Sequence, residues 1–216
     1  MILQALIPAV SLLALADLHA EAARALVSAA AGTALLLPLL YWLLWGVAVD
    51  VGPEGVPRPS GLELLGRAGA AVVCGGPLVY CAACLLGAPL VDGETAAWSA
   101  YACSVALVPA ACRLGLPVSR ALCADVQQCR ARWWRMCVQL RPRGAQEHAA
   151  TLPAAGALLG GWGSTLCGPL DWNTPWQRWP IASSYGVCVG GALGCVLVLA
   201  LAALRRKLPE QHPRAQ

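Results

Sequence analysis

Residues 169–180 have the sequence Pro-Leu-Asp-Trp-Asn-Thr-Pro-Trp-Gln-Arg-Trp-Pro, and they stand between two long apolar runs, Ala149–Cys167 and Ser183–Leu204. The three prolines prevent a continuous helix, because each removes a backbone donor and fixes φ. The three tryptophans favour the membrane–water boundary, where an indole can bury its ring and keep its N–H hydrated. The stretch therefore predicts a stiff aromatic hairpin, residues 168–182, at one face of a membrane.

The composition of the whole chain also indicates a membrane protein. Hydrophobic residues make up 58% of the 216 residues, only 12% are charged, and the mean hydropathy is +0.62. A soluble domain is nearer to half apolar and a quarter charged. A chain of this length is long enough for one helical bundle but not for an additional large soluble domain. We therefore expect a single all-α membrane domain over residues 1–216.

Apolar runs long enough to span a bilayer, which requires roughly 20 residues, recur along the chain. The shortest run lies at the start and has no Lys or Arg before it, so a retained span is favoured over a signal peptide. The expected fold is a polytopic bundle of about six transmembrane helices. The predicted spans are Ile2–Ala16, Ala25–Val49, Ala68–Val91, Thr95–Cys112, Ala149–Cys167 and Ser183–Leu204.

The basic residues are divided unequally between the two sides that six spans define. Thirteen of the 15 lie after spans two, four or six, and only Arg24 and Arg178 lie on the other side. Because positive charge marks the cytoplasmic face, both termini and the loop 113–148 are predicted to be cytosolic. The link Asp92–Glu94 and the hairpin are then lumenal.

The long basic loop contains a helical apolar stripe with steps of three and four residues. Arg130, Arg132 and Arg135 flank it, so an interfacial helix on anionic headgroups is one interpretation. A helix packed on the bundle or on a partner is the other. The cytosolic cysteines Cys123, Cys129 and Cys137 are in positions that permit S-acylation. The stripe consists of Leu122, Val126, Cys129, Trp133, Met136 and Leu140.

Glycines recur at helical spacing in the last two spans, and they are candidate helix-contact residues. A spacing of four places them on one helix face and lets another helix approach closely. They either pack within this protein or form a groove for helices of a partner. The residues are Gly156, Gly160, Gly186, Gly190 and Gly194.

Together with Gly160-Gly-Trp-Gly163, the hairpin resembles the signature of the phosphatidylinositol-glycan class F family, and the match is dense over Gly160–Ile181. Asn173 and Thr174 depart from the pattern, which has an acidic and a basic residue there. The residues that carry the motif are Gly161, Trp162, Gly163, Pro169, Leu170, Asp171, Trp172, Pro175, Trp176, Gln177, Trp179 and Pro180.

The resemblance implies a multi-pass protein of the endoplasmic reticulum membrane in GPI-anchor biosynthesis. Such a chain is a non-catalytic subunit that binds and stabilises a large multispanning GPI ethanolamine-phosphate transferase, surrounded by membrane lipids. The chemistry and its metal belong to the partner, so no cofactor is expected here. The resemblance also favours shared use of the glycine faces with that partner.

The residues themselves predict no catalytic, cofactor-binding or metal site. No nucleophile elbow, zinc-protease signature, phosphate loop or dinucleotide fingerprint is present. Cys81-Ala-Ala-Cys84 lacks the second pair of ligands that a structural metal site needs. The arginine-rich loop is explained by the positive-inside bias, so no nucleic-acid partner is expected.

Two other classes of function stay open. A lipid-modifying enzyme with its site under the hairpin would use Asp171, Asn173, Gln177 and Arg178, although a turn-forming role for Asp171 is favoured. A transporter would need charges or a polar cavity inside the membrane, and the predicted spans carry almost none away from their ends.

Overall fold

The computed structural model describes residues 21–43, 59–120, 122–123, 125–167 and 174–207. These ranges contain helices and no strand, which confirms the all-α fold class. Two short 3₁₀ turns, Thr165–Cys167 and Pro175–Gln177, lie between the last two helices. The six helices are α1 (Ala22–Leu43), α2 (Gly61–Leu85), α3 (Gly93–Leu114), α4 (Val126–Cys137), α5 (Gly144–Ser164) and α6 (Ile181–Lys207).

Five of these helices overlap predicted spans without sharing their bounds, and the predicted span Ile2–Ala16 lies outside the described residues. Within the described ranges, four helices are long and apolar enough to cross a membrane: α1, α2, α3 and the Ile181–Leu204 part of α6. The predicted span Ala149–Cys167 forms α5, which is not among the four. Its first turns carry Gln146, Glu147 and His148, and its glycines add little hydrophobicity.

Short polar side chains fix where α2, α3 and α4 begin. The oxygens of Ser60, Asp92 and Asp125 accept hydrogen bonds from backbone N–H groups two or three residues ahead, at 3.0–3.1 Å. Gly115 ends α3 at φ 76°, a conformation that favours glycine. A Cβ there would also lie 2.9 Å from the Leu122 carbonyl oxygen. The chain can therefore turn sharply after α3.

Helix α3 is the centre of the bundle. Sixteen of its 22 residues are buried, including Tyr101 and Val108 with no exposed surface. Helices α1, α2, α5 and α6 all pack against it. Proline residues inside α1, α2 and α3 (Pro38, Pro77 and Pro109) lie within continuous helices. The central position of α3 explains why it tolerates Thr95, Ser99 and Ser104, whose hydroxyls stay out of contact with the surrounding medium.

The outer helices present leucine and valine to the outside. On α2, only the stripe Leu64, Ala68, Ala71, Gly75 and Ala83 is buried, and it faces α3. Helices α1 and α6 likewise have exposed leucines along one side. Such outer surfaces are costly in water but suit a lipid environment, which agrees with a membrane bundle.

Candidate functional site

Eight of the twelve family-motif residues lie in the described part of the chain. Gly161, Trp162 and Gly163 are in the last turns of α5. Pro175, Trp176 and Gln177 form a 3₁₀ turn, and Trp179 and Pro180 lead directly into α6. The other four motif residues, Pro169, Leu170, Asp171 and Trp172, lie outside the described residues.

Trp179 anchors the hairpin to the central helix. Its ring lies 5.2 Å from that of Trp98, centroid to centroid, with the planes tilted by 50°. Its Nε1–H donates a hydrogen bond of 3.1 Å to the Thr95 hydroxyl. A Cβ on Gly161 would lie 2.7 Å from a Val187 methyl and 3.2 Å from the Trp98 ring. We call Thr95, Trp98, Gly161 and Trp179 the aromatic anchor; it joins α3, α5 and the hairpin.

Hydrogen bonds within the hairpin and the first turn of α6 set the position of Trp179. The Gln177 side-chain oxygen accepts from the backbone N–H of Thr174 at 3.0 Å, and the Ile181 N–H donates to the Arg178 carbonyl at 2.8 Å. The Pro180 carbonyl accepts from the hydroxyls of Ser183 and Ser184 at 2.9 and 2.8 Å. The Thr174 N–H lies at the start of the 3₁₀ turn, where a backbone donor has no partner within the turn, and the Gln177 oxygen satisfies it.

An ion pair at the same end of the bundle links the hairpin to the start of α3. Arg178 donates to Glu94 at 3.2 Å, and the arginine side chain is 74% exposed. The hairpin and the link before α3 therefore share one end of the molecule, which we call the Trp end. An exposed pair of this kind contributes little to stability.

The five candidate glycines lie in the contact between α5 and α6. A Cβ on Gly156 would overlap the Gly190 carbonyl, and one on Gly160 would overlap the Gly186 carbonyl. A Cβ on Gly194 would lie 2.5 Å from the Leu152 carbonyl oxygen. The two backbones touch at these points, so the other helix fills the space beside each glycine. No partner helix can use the same faces while α5 and α6 are packed in this way.

Arginines gather at the opposite end, which we call the basic end. Arg67 on α2 forms an ion pair with Glu63 and donates to the Cys112 carbonyl at 3.1 Å. Arg113 donates to the Tyr41 hydroxyl at 2.6 Å, and its guanidinium carbon lies 5.6 Å from that ring's centroid. Both arginines interact favourably with the carboxyl-terminal end of α3, and they join α1, α2 and α3 there.

The predicted amphipathic helix of the long loop is α4, and its stripe packs on the bundle. Cys129 and Met136 are buried, and the Trp133 Nε1–H donates to the Gly115 carbonyl at 3.0 Å. Arg135 forms an ion pair of 2.6 Å with Glu147, which is 7% exposed. Leu140, the last residue of the predicted stripe, lies beyond the end of α4 at φ 51° and is exposed. The stripe is therefore shorter than its spacing indicates.

The cysteines of this region differ in how deeply their side chains are buried. Burial raises the pKa of the Cys129 thiol to about 12, so this thiol stays protonated and unreactive near neutral pH. Burial also raises the pKa of Cys137, but that side chain is exposed, and Cys123 is half-buried. For S-acylation, accessibility favours Cys137 over Cys129.

The described residues contain no group of three His, Cys, Asp or Glu side chains that could hold a metal ion. Cys81 is exposed on α2 and Cys84 is half-buried. At the Trp end, Thr95, Ser183, Ser184 and Glu94 are each bonded to a neighbouring group of the chain. In this arrangement the polar groups hold the hairpin to the starts of α3 and α6.

Three partners of the motif were missed in the sequence: Thr95, Trp98 and Val187. The available signal was the start of α3, where Thr95, Trp98 and Ser99 lie at spacings of three and four residues in an otherwise small and apolar helix. Hydroxyls and an indole on one face indicate a helix that is enclosed by protein rather than by lipid.

The model of the GPI biosynthesis protein family Pig-F matches residues 2–199 of this chain. A human protein named "GPI ethanolamine phosphate transferase, stabilizing subunit" is 30% identical over 115 residues, which are 52% of this chain and 47% of that protein. The mouse protein of that name is 29% identical over the same shares.

A Candida albicans protein named "Glycosylphosphatidylinositol anchor biosynthesis protein 11" is 43% identical over 53 residues, 24% of this chain and 20% of that protein. The chain spans about half the length of the human and mouse relatives it matches. The comparison with solved structures gave no significant match. Since the family model covers nearly the whole sequence, the chain belongs to the GPI biosynthesis protein family Pig-F.

Proposed function

We propose that this chain is a non-catalytic membrane subunit that binds and stabilises a GPI ethanolamine-phosphate transferase of the endoplasmic reticulum. The observation that carries the proposal is the family match over residues 2–199, joined to relatives that are named as the stabilizing subunit of that transferase. The partner is expected to be a large multispanning protein, and membrane lipids cover the remaining outer surface.

The arrangement of polar groups supports a role in assembly. The hydroxyls and the carboxylate at the Trp end are engaged in holding the hairpin to α3 and α6. The outer sides of α1, α2 and α6 are apolar and can contact helices of another membrane protein. Interfaces within a bilayer use close packing of such helix faces.

Purification of the tagged chain in mild detergent tests the proposal. We expect a stoichiometric large transferase to accompany it, and removal of the chain should lower both the transferase level and surface GPI-anchored protein. A chain that purifies alone and modifies a lipid would overturn the proposal in favour of a lipid-modifying enzyme.

Two hairpin substitutions separate assembly from catalysis. Asp171→Asn removes the charge but keeps a side-chain oxygen of the kind that accepts hydrogen bonds in turns, so complex abundance and GPI anchoring should change little. Trp176→Ala removes a half-buried ring that packs against the core, so the level of the complex should fall. A normally assembled complex that is inactive with Asp171→Asn would contradict the non-catalytic role.

We also propose that the basic end is cytosolic and the Trp end lumenal, because positive charge marks the cytoplasmic side. A glycosylation acceptor site inserted at the Asp92–Glu94 link should be modified, whereas one inserted within Arg130–Arg143 should not. Efficient modification of the second insertion would reverse the orientation.

A further inference from the structure

Helix α4 has a second apolar face that points away from the bundle. Trp134 and Val138 are 57% and 56% exposed, and at 100° per residue they lie on the side opposite to the buried Cys129 and Met136. Arg130 is exposed beside them. The inner stripe is used for packing, so the outer face is a separate surface.

The depth of α4 relative to the spans is set by its contacts. Its Trp133 side chain donates to the Gly115 carbonyl, and the Cys129 thiol lies 3.6 Å from the Leu114 carbonyl oxygen. Leu114 is the last residue of α3, which is long and apolar enough to span the membrane. A helix tied to that point lies at the level where a bilayer changes from hydrocarbon to headgroups.

The charge around this face is strongly positive. The segment 113–148 holds seven arginines and two carboxylates. Of the carboxylates, Glu147 is paired with Arg135, and Asp125 caps α4. Four exposed arginines of this segment form no ion pair within the described part of the chain: Arg120, Arg130, Arg141 and Arg143.

We propose that the outer face of α4 binds the anionic phospholipid surface of the membrane. Trp134 and Val138 enter the boundary region, and the exposed Arg130 and Arg141 pair with lipid phosphates and carboxylates. Tryptophan is enriched at this depth. Each arginine near an anionic lipid surface contributes about 1 kcal/mol, which raises the binding constant about fivefold at room temperature. An acidic protein would satisfy the arginines, but the depth of α4 places the exposed indole beside lipid.

Tryptophan quenching in vesicles tests this site on the full-length protein. The purified chain is reconstituted in phosphatidylcholine vesicles with or without phosphatidylserine, both containing lipids brominated near the headgroup. The difference between the wild type and Trp134→Phe isolates the signal of Trp134. We expect Trp134 quenching that increases with phosphatidylserine and decreases with added salt. Arg130→Gln and Arg141→Gln should each weaken the association of α4 with the lipid surface about fivefold.

Two controls come from the same chain. Trp162 is 52% exposed on α5, and its quenching should not depend on phosphatidylserine. Arg24→Gln removes a charge from the start of α1, at the opposite end to Arg113 and Tyr41, and should leave Trp134 unchanged. Quenching of Trp134 by aqueous acrylamide but not by brominated lipid would overturn the proposal, as would protection of Trp134 only in the presence of a co-purified acidic protein.

Discussion

Glycines on α6 and on α2 have opposite surroundings although both helices belong to the same bundle. Gly190 is pressed against the backbone of Gly156, and no side chain atom fits between them. Gly69 and Gly76 on α2 have nothing within 4 Å of the place where a Cβ would lie. On α2 the enclosed glycine is Gly75, where a Cβ would lie 2.8 Å from the Cys103 sulfur.

The difference shows that small residues in apolar helices do not identify a contact by their spacing alone. Gly75 and Gly76 are adjacent in sequence, yet one faces α3 and the other faces outward, because successive residues on a helix are 100° apart. The enclosed surfaces hold this chain together, and the open ones are available to lipid or to another protein. The tryptophans differ in the same way, because Trp179 packs on Trp98 whereas Trp162 is exposed. The ion pairs also differ, because Glu147 is buried in its pair with Arg135 whereas Arg178 is exposed.

The largest effect is expected for Gly190→Leu. A leucine side chain forces the α5 and α6 backbones apart, which should destabilise the bundle by more than about 3 kcal/mol, above usual overpacking costs. The abundance and detergent thermal stability of the purified chain measure the loss. Gly69→Leu is the matched control and should change stability by less than about 0.5 kcal/mol.

Equal loss of folded protein for both leucine variants would remove the distinction between enclosed and open glycines. If a stable Gly69→Leu protein loses a co-purified transferase, the open glycines have a different role from the enclosed ones. The outer side of α2 would then contact the partner.

Trp179→Ala should have the next largest effect. It removes the ring contact with Trp98 and the hydrogen bond to Thr95, so we expect a loss of about 3 kcal/mol. Trp162→Ala removes an exposed ring from the same motif and should cost less than about 1 kcal/mol. Thermal unfolding of both proteins in one detergent gives the ranking, and the reverse order would contradict the aromatic anchor.

Arg135→Gln should loosen α4 from the bundle. The variant leaves Glu147 without its ion-pair partner, at a cost of about 2 kcal/mol after allowance for partial exposure. The Cys129 thiol, whose pKa is raised to about 12 by burial, should then become more reactive near pH 8, because exposure lowers that pKa toward its ordinary value.

Mass-spectrometric readout of maleimide labelling distinguishes Cys129 from Cys137. Cys137 is already exposed and should label at the same rate in both proteins. An unchanged rate at Cys129 would show that Trp133 and Met136 hold α4 without the ion pair.

The smallest effect is expected for Arg178→Gln. The arginine is 74% exposed, so removal of its pair with Glu94 should change stability by less than about 0.5 kcal/mol. A loss comparable with that of Trp179→Ala would mean that the Trp end depends on charge as well as on ring packing.

The hydropathy of the sequence predicts most of the helices, and the Trp–Pro motif predicts the turn that precedes α6. These features depend on local periodicity and on the backbone restrictions of proline. The partners of the motif are not local: Thr95 and Trp98 lie more than 80 positions before Trp179. Spacing likewise shows which glycines share a face, but the helix that fills the face depends on how α5 and α6 are placed.

The end of α4 is the clearest local failure of periodicity. Leu140 continues the apolar spacing, but the helix ends at Cys137 and Leu140 adopts a positive φ. Pro142 and Gly144 follow at once, and the chain needs this turn to enter α5. The requirement to reverse direction outweighs the hydrophobic pattern.

The enclosed position of α3 has a consequence for the order in which the chain is assembled. Its apolar window has the lowest mean hydropathy of the four candidate spans, 1.3 against 2.6 for α6, so the bilayer alone retains it least well. Because α1 and α2 precede α3 in the chain, they can provide the protein surface that accepts α3 as it leaves the ribosome. Helices α5 and α6 are synthesised later and pack against the remaining side of α3. The earlier helices therefore form the surface on which the later ones assemble.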